Sequence, residues 1–486
     1  MHDTQFQSLL PDVPAHFIGG QWHAFESVRD SLNPATEEVI GQVAEGDSST
    51  ATIAVENAHQ AQKDWAALSI SARANYLQDV MVQVKDNAEA LARLLVTEQG
   101  KPIKEARDEV SMALTMLRYY AGFGFRQTGS LMAANYQQRS TIIRDEPVGV
   151  VVAIIPWNFP LAMFVRKLAP ALVAGNTIVI KPSENTSLIA LAMATLCQRA
   201  NLPAGVVNVV TGQGRTVGDA LVRHPQTNLV TMTGSTRAGR EILAAAVGNI
   251  LPVSLELGGK APFIVMADAD VERAAQAALA SRMYNCGQAC ISNERTYVHT
   301  SIYPKFMEAL LKAASQLTIG DPHDESTDIG PKVSAAERDN VLKHIAKAQE
   351  QGAKVAYSGT PSDLTGKGFW VPPTILTDLP ADAEIFQSEV FGPVLPVIEF
   401  TTLEQVVEWA NRSEYGLSAY VYTRDLSTAM QLTDALESGE VYINRTGPEE
   451  INGYHAGWKS SGLGGDDGEH GYRTYVRTKI IYLDYS

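Results

Sequence analysis

Residues 149–160, GVVVAIIPWNFP, decide how this chain folds. The apolar, mostly β-branched run before Pro156 is typical of a strand that is buried on both faces. Pro156 and Pro160 stiffen the following turn and hold Asn158 in place. Ligands of parallel sheets bind where strands end and helices begin, so this turn is expected beside a binding site, where the Asn158 amide could donate to an oxyanion. A purely structural turn around a buried aromatic side chain is the alternative.

The same pattern returns along the chain, because short β-branched runs alternate with longer stretches whose Ala, Leu and charged residues have helical spacing. Strands are predicted at 149–155, 177–180, 206–210, 229–232 and 250–255, and helices at 51–65, 71–98, 104–125 and from Ser235 to about residue 246. This alternation predicts an α/β fold.

Length and charge narrow the class of protein. A chain of 486 residues exceeds what one hydrophobic core organises, so two or three domains are expected. Its 39 Lys plus Arg against 54 Asp plus Glu give a net charge of −15 without a basic block, so no nucleic acid partner is expected. Residues 1–14 lack a secretory signal pattern and the apolar runs are too short for a bilayer, which predicts a cytoplasmic protein without a membrane partner.

The cysteines and histidines carry no metal or disulfide pattern. Cys197, Cys286 and Cys290 cannot form a disulfide framework, and the Cys286/Cys290 pair lacks the second ligand pair of a zinc site. The ten histidines show no metal spacing either. No metal is therefore expected.

A thiol and a carboxylate stand out as reactive groups. Cys290 ends the turn-rich stretch YNCGQAC at 284–290, and Glu256 precedes Gly258 and Gly259. A thiolate can attack a carbonyl carbon, and a carboxylate can activate water. A helix beginning just after Gly287 would favour the thiolate form of Cys290. The alternatives are an inert buried cysteine, and a Glu that caps a helix or pairs in a salt bridge.

Residues that follow the carboxyl ends of two predicted strands are suited to binding a nucleotide. Lys181 and Glu184 follow the strand at 177–180 and could bind ribose hydroxyls, although a solvated pair is the commoner role for such residues. The stretch MTGSTRAG at 232–239 leads from a strand into a helix, where Ser235 can cap the helix and free N–H groups can meet phosphate. An ordinary strand-to-helix turn is the alternative there. Two later segments, 389–393 and 461–469, have the composition of loops.

In this order the motifs resemble the aldehyde dehydrogenase superfamily along essentially the whole chain. The resemblance implies a Rossmann-like cofactor domain at 1–127 and 147–257, an α/β catalytic domain at 258–460, and a small β oligomerisation arm at 128–146 with a C-terminal tail at 461–486. Because edge strands of such an arm pair with another subunit, a homodimer or homotetramer is implied.

The resemblance also implies roles for individual residues. Cys290 matches the nucleophile, Glu256 the general base and Asn158 the oxyanion donor, while Lys167 and Glu469 match proton-relay positions. The implied cofactor contacts are Ile155, Trp157, Lys181, Ser183, Glu184, Gly214, Gly234, Ser235, Leu257, Glu389 and Phe391. NAD is the implied cofactor. NADP is the alternative, because Glu184 would repel a 2′-phosphate yet can rotate away.

The implied reaction is NAD(P)-dependent oxidation of an aldehyde to a carboxylic acid through a thiohemiacetal and a thioester on Cys290. The stretches VYINR at 441–445 and YHAGW at 454–458 resemble the bacterial lactaldehyde and glycolaldehyde dehydrogenase subgroup. This implies a small 2-hydroxyaldehyde substrate that contacts Arg166, Arg445 and His455. The alternatives are an acid semialdehyde or a sugar-derived aldehyde, a cysteine esterase without redox chemistry, and a catalytically silent structural protein.

Overall fold

The computed structural model describes residues 4–126, 129–133, 135–360 and 366–486. The predicted domain boundaries at Met1, Gln127 and Thr128 lie outside the described residues. The α-helices are α1 Ser48–Ala67, α2 Ile70–Asp86, α3 Ala88–Gln99, α4 Ile103–Ala121, α5 Pro160–Ala174, α6 Ser187–Arg199, α7 Asp219–Arg223, α8 Thr236–Ala246, α9 Val271–Met283, α10 Tyr303–Ala314, α11 Ala335–Glu350, α12 Leu403–Asn411, α13 Leu426–Ala435 and α14 Gly468–Arg473. The strands are β1 Ala15–Ile18, β2 Gln21–Ala24, β3 Val28–Leu32, β4 Val39–Ala44, β5 Gly129–Met132, β6 Arg139–Pro147, β7 Val150–Ile154, β8 Thr177–Lys181, β9 Val207–Val209, β10 Leu229–Thr233, β11 Val253–Glu256, β12 Ala261–Val265, β13 Asn293–His299, β14 Lys354–Ser358, β15 Thr374–Thr377, β16 Val394–Phe400, β17 Tyr415–Gly416, β18 Ser418–Tyr422, β19 Glu440–Ile443, β20 Trp458–Lys459, β21 Gly462–Leu463 and β22 Val476–Asp484.

The first large sheet is built around β7, the strand quoted at the outset. Its order is β2-β1-β9-β8-β7-β10-β11-β21, and the strands from β9 to β11 are parallel. The chain goes from β7 outward to β8 and β9, and then crosses back to β10 on the other side of β7. Neighbouring strands whose connections leave in opposite directions open a crevice at their carboxyl ends, and ligands bind there.

The second large sheet has the order β14-β15-β16-β13-β12-β18-β19, and it is parallel except for the edge strand β14. Parallel sheets need helices on their faces, which explains the alternation of helical and β-branched stretches. The two sheets confirm the predicted α/β fold class with a Rossmann-like sheet.

Two predicted elements end differently from the prediction. The helix expected at 71–98 is two helices, because Asn87 leaves the helical conformation (φ −111°, ψ 18°) and its side chain donates to the Gln83 carbonyl, closing α2. The strand expected at 250–255 begins only at Val253, since Ile250 has a left-handed φ of 50° and is almost fully exposed.

The predicted arm is a separate three-stranded sheet in the order β22-β6-β5. Strand β22 pairs with β6 from Val476–Pro147 to Asp484–Arg139. Strand β21, which the prediction groups with the C-terminal tail, joins the first large sheet beside β11 instead. Within the described ranges, the helices are all too short or too polar to cross a bilayer.

Candidate active site

Cys290 lies in a tight irregular segment between α9 and β13. The helix expected after Gly287 is wrong: a 3-10 turn at Tyr284–Gly287 is followed by non-helical residues that lead directly into β13. Asn285, Cys286 and Gly287 all have positive φ angles, which no α-helix tolerates. The positive end of a helix dipole therefore does not explain the reactivity of Cys290.

The two neighbouring cysteines differ in environment. Cys286 is buried, and burial raises the pKa of its thiol to about 12 although the charge of Lys332 acts in the opposite direction. Cys290 is partly accessible and lines a cavity of about 570 Å³. A thiol that must meet a substrate has to be accessible, so the structure distinguishes Cys290 from Cys286.

Asn158 lines the same cavity from the turn after β7. Its side-chain Nδ2 donates a hydrogen bond of 3.0 Å to the carbonyl oxygen of Gln288, two residues before Cys290. The structure thus brings the predicted oxyanion donor to the predicted nucleophile.

Glu256 ends β11, and its carboxylate is buried close to His455. The Oε2 atom lies 3.5 Å from His455 Nε2, and neither carboxylate oxygen of Glu256 has a hydrogen-bond partner among the described residues. Burial raises the pKa of Glu256 to about 8, while the charge of His455 acts in the opposite direction.

His455 is held between acidic groups at the cavity wall. Its Nδ1 lies 2.9 Å from Glu440 Oε1, and the ring lines the same cavity as Cys290. Burial lowers the pKa of His455, but the charges of Glu449, Glu440 and Glu256 outweigh it and raise this pKa well above 6.5. The three carboxylates therefore favour the protonated form of His455.

Of the two arginines predicted to contact substrate, only Arg166 lines the cavity. It projects from the buried helix α5 and forms salt bridges with Glu449 and, at 2.9 Å, with Asp467. Arg445 is instead about half exposed and pairs with Glu450 at 3.2 Å. Its guanidinium donates to the Thr446 and Pro448 carbonyls of the 446–450 loop, which lines the cavity, whereas Arg445 itself is not among the lining residues.

The predicted relay pair, Lys167 and Glu469, does not come together. Lys167 is fully buried on α5, and its Nζ lies 2.5 Å from Asp466 Oδ2. Glu469 is on the surface at the start of α14, where it pairs with Arg126 and, at 3.2 Å, with Arg473. The carboxylate beside Lys167 is that of Asp466, because the chain turns between Asp466 and Glu469 and directs one side chain to the interior and the other to the surface.

Four acidic residues of the site were missed at the level of sequence: Glu440, Glu449, Asp466 and Asp467. Asp466 and Asp467 lie in the 461–469 segment that was taken for a loop, and a pair of adjacent aspartates in a buried stretch was the available signal. Nothing local distinguishes Glu449, because its partner Arg166 lies far away in sequence, and Glu440 resembles any other strand-start carboxylate.

The predicted cofactor contacts line up at the carboxyl ends of β7, β8, β10 and β11. Lys181 Nζ lies 3.3 Å from Glu184 Oε1, which also accepts a 2.7 Å hydrogen bond from the Gly214 N–H. Ser183 is half-buried beside them. Buried Ile155, after β7, donates its N–H to the Lys181 carbonyl. This group of residues fits the adenosine ribose of a dinucleotide.

A second group of cofactor contacts surrounds the start of α8. Ser235 caps this helix by accepting from the Ala238 N–H at 3.3 Å, and Gly234 donates its N–H to the Glu256 carbonyl. The exposed amino end of α8 carries the positive end of the helix dipole, which fits a pyrophosphate. Leu257 is buried against Gly239 of the same helix.

The two glycines after Glu256 allow a close approach of distant segments. A Cβ at Gly258 would lie 2.6 Å from Glu389 Oε2, and a Cβ at Gly259 would collide with the Cys290 carbonyl oxygen. The Gly259 N–H also donates to Glu389 Oε1 at 2.8 Å. The loop that carries Glu389 is thereby placed between the cofactor contacts and Cys290.

Two aromatic contacts complete this end of the site. The rings of Trp157 and Phe391 meet edge to face with centroids 5.4 Å apart. Phe391 has a positive φ of 53° and donates its N–H to Glu294 Oε1. The Trp157 ring thus packs against the loop that carries Glu389 and Phe391.

Comparison with known proteins agrees with this geometry. Residues 22–481 match the aldehyde dehydrogenase family. The chain is 47% identical over 481 residues to 3,6-anhydro-alpha-L-galactose dehydrogenase of Streptomyces coelicolor, covering 98% of each chain. It is 42% identical to lactaldehyde dehydrogenase of Escherichia coli, covering 96% of this chain and 98% of the relative. Betaine aldehyde dehydrogenase of Staphylococcus aureus, solved in complex with NAD+, superposes with a TM-score of 0.96 at 32% identity, covering 99% of this chain and 97% of that one. These matches confirm the resemblance drawn from the motifs: the chain belongs to the aldehyde dehydrogenase family and is an NAD(P)-dependent aldehyde dehydrogenase.

Proposed function

We propose that the protein oxidises a small, uncharged hydroxylated aldehyde to its carboxylic acid, with Cys290 as the nucleophile. The observation that carries this proposal is the meeting of Cys290, Asn158 and His455 around one cavity. The partly accessible thiol, an amide donor and a buried carboxylate are the groups that thioester chemistry requires.

In the proposed mechanism, Cys290 Sγ adds to the aldehyde carbon and forms a thiohemiacetal. Asn158 Nδ2 donates to the oxyanion, and the His455 imidazolium stabilises negative charge beside it. A nicotinamide dinucleotide, which Lys181, Glu184 and Ser235 would help to hold, would supply the acceptor for the hydride that leaves this carbon. Glu256 then takes a proton from water, which attacks the thioester, releases the carboxylic acid and regenerates Cys290.

The charges of the cavity support an uncharged substrate. Arg166 is a cationic side chain that could bind the carboxylate of an acid semialdehyde, but it is already paired with Glu449 and Asp467. Although burial alone would raise it, the charges of Arg166 and His455 hold the pKa of Glu449 at about 2. Asp108 and Glu450 add further carboxylates to the lining. A second negative charge on the substrate would face these groups, whereas hydroxyl groups can donate to them.

Lactaldehyde and glycolaldehyde are the substrates proposed first, because of the C-terminal resemblance and the relative named lactaldehyde dehydrogenase. A sugar-derived aldehyde is the second candidate. It is supported by the 47% identity to the Streptomyces enzyme and by a cavity of about 570 Å³, which accommodates more than three carbon atoms.

The test is a panel of initial rates with lactaldehyde, glycolaldehyde, a sugar aldehyde, succinic semialdehyde and benzaldehyde, each with NAD and with NADP. We expect kcat/KM for the best hydroxyaldehyde to exceed that for succinic semialdehyde by roughly tenfold or more, about 1.4 kcal/mol of discrimination. A dominant semialdehyde rate contradicts the substrate class. Ester hydrolysis without aldehyde oxidation under either cofactor contradicts the dehydrogenase mechanism itself and supports a cysteine esterase.

A variant tests whether the charges around Arg166 determine the preference for an uncharged substrate. Glu449→Gln removes one of the two charges that neutralise Arg166, so the ratio of succinic semialdehyde to lactaldehyde kcat/KM should rise. Glu414→Gln, an exposed carboxylate paired with Arg240, is the matched control and should leave the ratio unchanged.

NAD is the proposed cofactor, because Glu184 lies beside Lys181 where a ribose would bind and its charge would repel a 2′-phosphate. NADP remains the alternative. In the same scheme, residues 1–127 and 147–257 form the cofactor domain, residues 258–460 form the catalytic domain, and the enzyme acts in the cytoplasm.

The three-stranded sheet is proposed to join subunits into a homodimer or homotetramer. Strand β22 is a nine-residue edge strand whose Ile480 and Tyr482 are 49% and 78% exposed. Long apolar edges of this kind pair with another chain.

The double variant Ile480→Lys/Tyr482→Lys should therefore dissociate the oligomer. In analytical ultracentrifugation, the mass should fall from a multiple of 52.6 kDa to the 52.6 kDa of a single chain. Val355→Lys, on the exposed edge strand β14, is the control, and an unchanged mass in the β22 variant would contradict this interface.

A further inference from the structure

A buried ion pair lies directly behind Asn158. Lys101 precedes α4 and Glu109 is on that helix, and both side chains are completely buried. Lys101 Nζ lies 2.5 Å from Glu109 Oε2 and donates a second hydrogen bond of 2.8 Å to the backbone carbonyl of Asn158. The same ammonium lies 4.0 Å from the centre of the Phe159 ring. Lys101 thus contacts the turn that carries the oxyanion donor at two consecutive residues.

The Asn158 carbonyl has a second donor, which comes from the segment before Cys290. Asn285 Nδ2 donates to it at 2.9 Å. Asn285 is itself held by Gln99, whose Nε2 donates to Asn285 Oδ1 at 3.0 Å, and by Glu105, which accepts the Asn285 N–H at 2.9 Å. Residues at the end of α3 and the start of α4 therefore hold both the Asn158 turn and the Cys290 segment.

The other oxygen of Glu109 connects this pair to α5. It accepts the backbone N–H groups of Leu161 and Ala162 at 2.9 and 3.1 Å, in the first turn of that helix. The Asn158 carbonyl and the first turn of α5 are consequently held by one buried pair of charges.

This arrangement determines where the Asn158 amide points. A side-chain amide has two N–H donors, and one of those on Asn158 is used by the Gln288 carbonyl. With the backbone held by Lys101 and the first N–H held by Gln288, the direction of the second N–H is set before a substrate arrives. Pre-organised donors of this kind stabilise a transition state without a reorganisation cost at the moment of reaction.

We infer that Lys101 is a positioning residue for aldehyde oxidation, which acts by holding the Asn158 backbone so that the amide donates to the oxyanion. This inference rests on the proposed role of Asn158. Lys101 does not line the cavity, so its effect on the reaction passes through Asn158 rather than through contact with the substrate.

A double-mutant cycle on the full-length enzyme separates positioning from general structural support. Lys101→Met, Asn158→Ala and the double variant are compared by kcat/KM for glycolaldehyde at saturating NAD. We expect Asn158→Ala to lower kcat/KM by about 10²–10³-fold, and Lys101→Met to lower it by roughly 10–100-fold. In the Asn158→Ala background, Lys101→Met should change the rate by less than about twofold, because both changes remove the same interaction.

The controls are the exposed neighbour Lys104 and the cofactor. Lys104→Met, which removes a surface pair with Asp328, should leave kcat/KM unchanged. The NAD dissociation constant, followed by tryptophan fluorescence, should be the same in every variant. Equal losses from Lys101→Met in both backgrounds, or no loss in either, would overturn the inference. A wild-type rate in Asn158→Ala would instead refute the proposed oxyanion role.

Lys101→Met leaves Glu109 as an uncompensated buried charge, so we expect this variant to be destabilised unless that charge is also removed. The same cycle is then run with Lys101→Met/Glu109→Gln, which removes both charges and retains the acceptor for the α5 N–H groups. Here too, the change at residues 101 and 109 should lower kcat/KM much less in the Asn158→Ala background than in the wild type. Equal fold-losses of kcat/KM in the two backgrounds would again overturn the inference.

Discussion

Cys290→Ala is expected to abolish aldehyde-dependent reduction of NAD. The rate should fall roughly 10⁴-fold or more, which is the usual effect of removing a catalytic nucleophile. The physical reason is that no other side chain can form the thioester: Cys290 is the accessible thiol that lines the cavity with Asn158 and His455. The measurement is the increase in absorbance of the reduced cofactor, and trapping with iodoacetamide should label the wild type but not the variant at this position.

Cys286→Ala is the matched control, because it lies on the same segment only four residues away. Its thiol is buried in the core of the second sheet, where the raised pKa of about 12 keeps it neutral. The change should cost about 1 kcal/mol of stability while leaving most of the activity. Activity that survives in Cys290→Ala and disappears in Cys286→Ala would reverse the assignment.

Glu256→Gln is expected to slow hydrolysis of the thioester by about 10²–10⁴-fold, the usual contribution of a general base. Formation of the thioester does not require this base, so rapid mixing should still give a burst of reduced cofactor that approaches the concentration of Cys290 sites, followed by a very slow steady state. Absence of the burst would show that Glu256 acts before hydride transfer. A steady-state rate equal to that of the wild type would refute its role as base.

The pH dependence of hydrolysis gives a second measure of Glu256. Burial raises its pKa to about 8, and a base acts in its ionised form, so the wild-type hydrolysis rate should rise with pH up to about 8 and then level off. In Glu256→Gln the rise should be absent. Glu414→Gln, a surface carboxylate, should retain the wild-type profile and thereby exclude a general effect of charge.

The fold was largely predictable because its signals are local. Strands that are buried on both faces must be continuously apolar, so the run before Pro156 identified β7 without any knowledge of its neighbours. The errors occurred where a single residue decides where a helix ends or a strand begins. Asn87 closes α2 with its own side chain, and Ile250 takes a left-handed conformation that its β-branched side chain does not favour.

The candidate site was only half predictable. Cys290, Glu256 and Asn158 were identified by motif, and the structure places them around or beside one cavity. Glu469 and Arg445, which the same resemblance selected, lie on the surface and pair with nearby charges, which their residue types do not reveal. The segment after Gly287 also lacks the helix that was expected to activate the thiol.

By itself, the sequence determined the order of strands and helices, the kinds of reactive side chain and the family, because these depend on residue type and spacing along the chain. Only the tertiary structure decided which charges meet. Arg166 pairs with Asp467 and Glu449, His455 is held among three carboxylates, and Lys101 supports Asn158. Several of these partners are separated by more than fifty residues, so only the path of the folded chain brings them together. These charges are largely buried, and a buried charge without a partner would cost much of the free energy of folding.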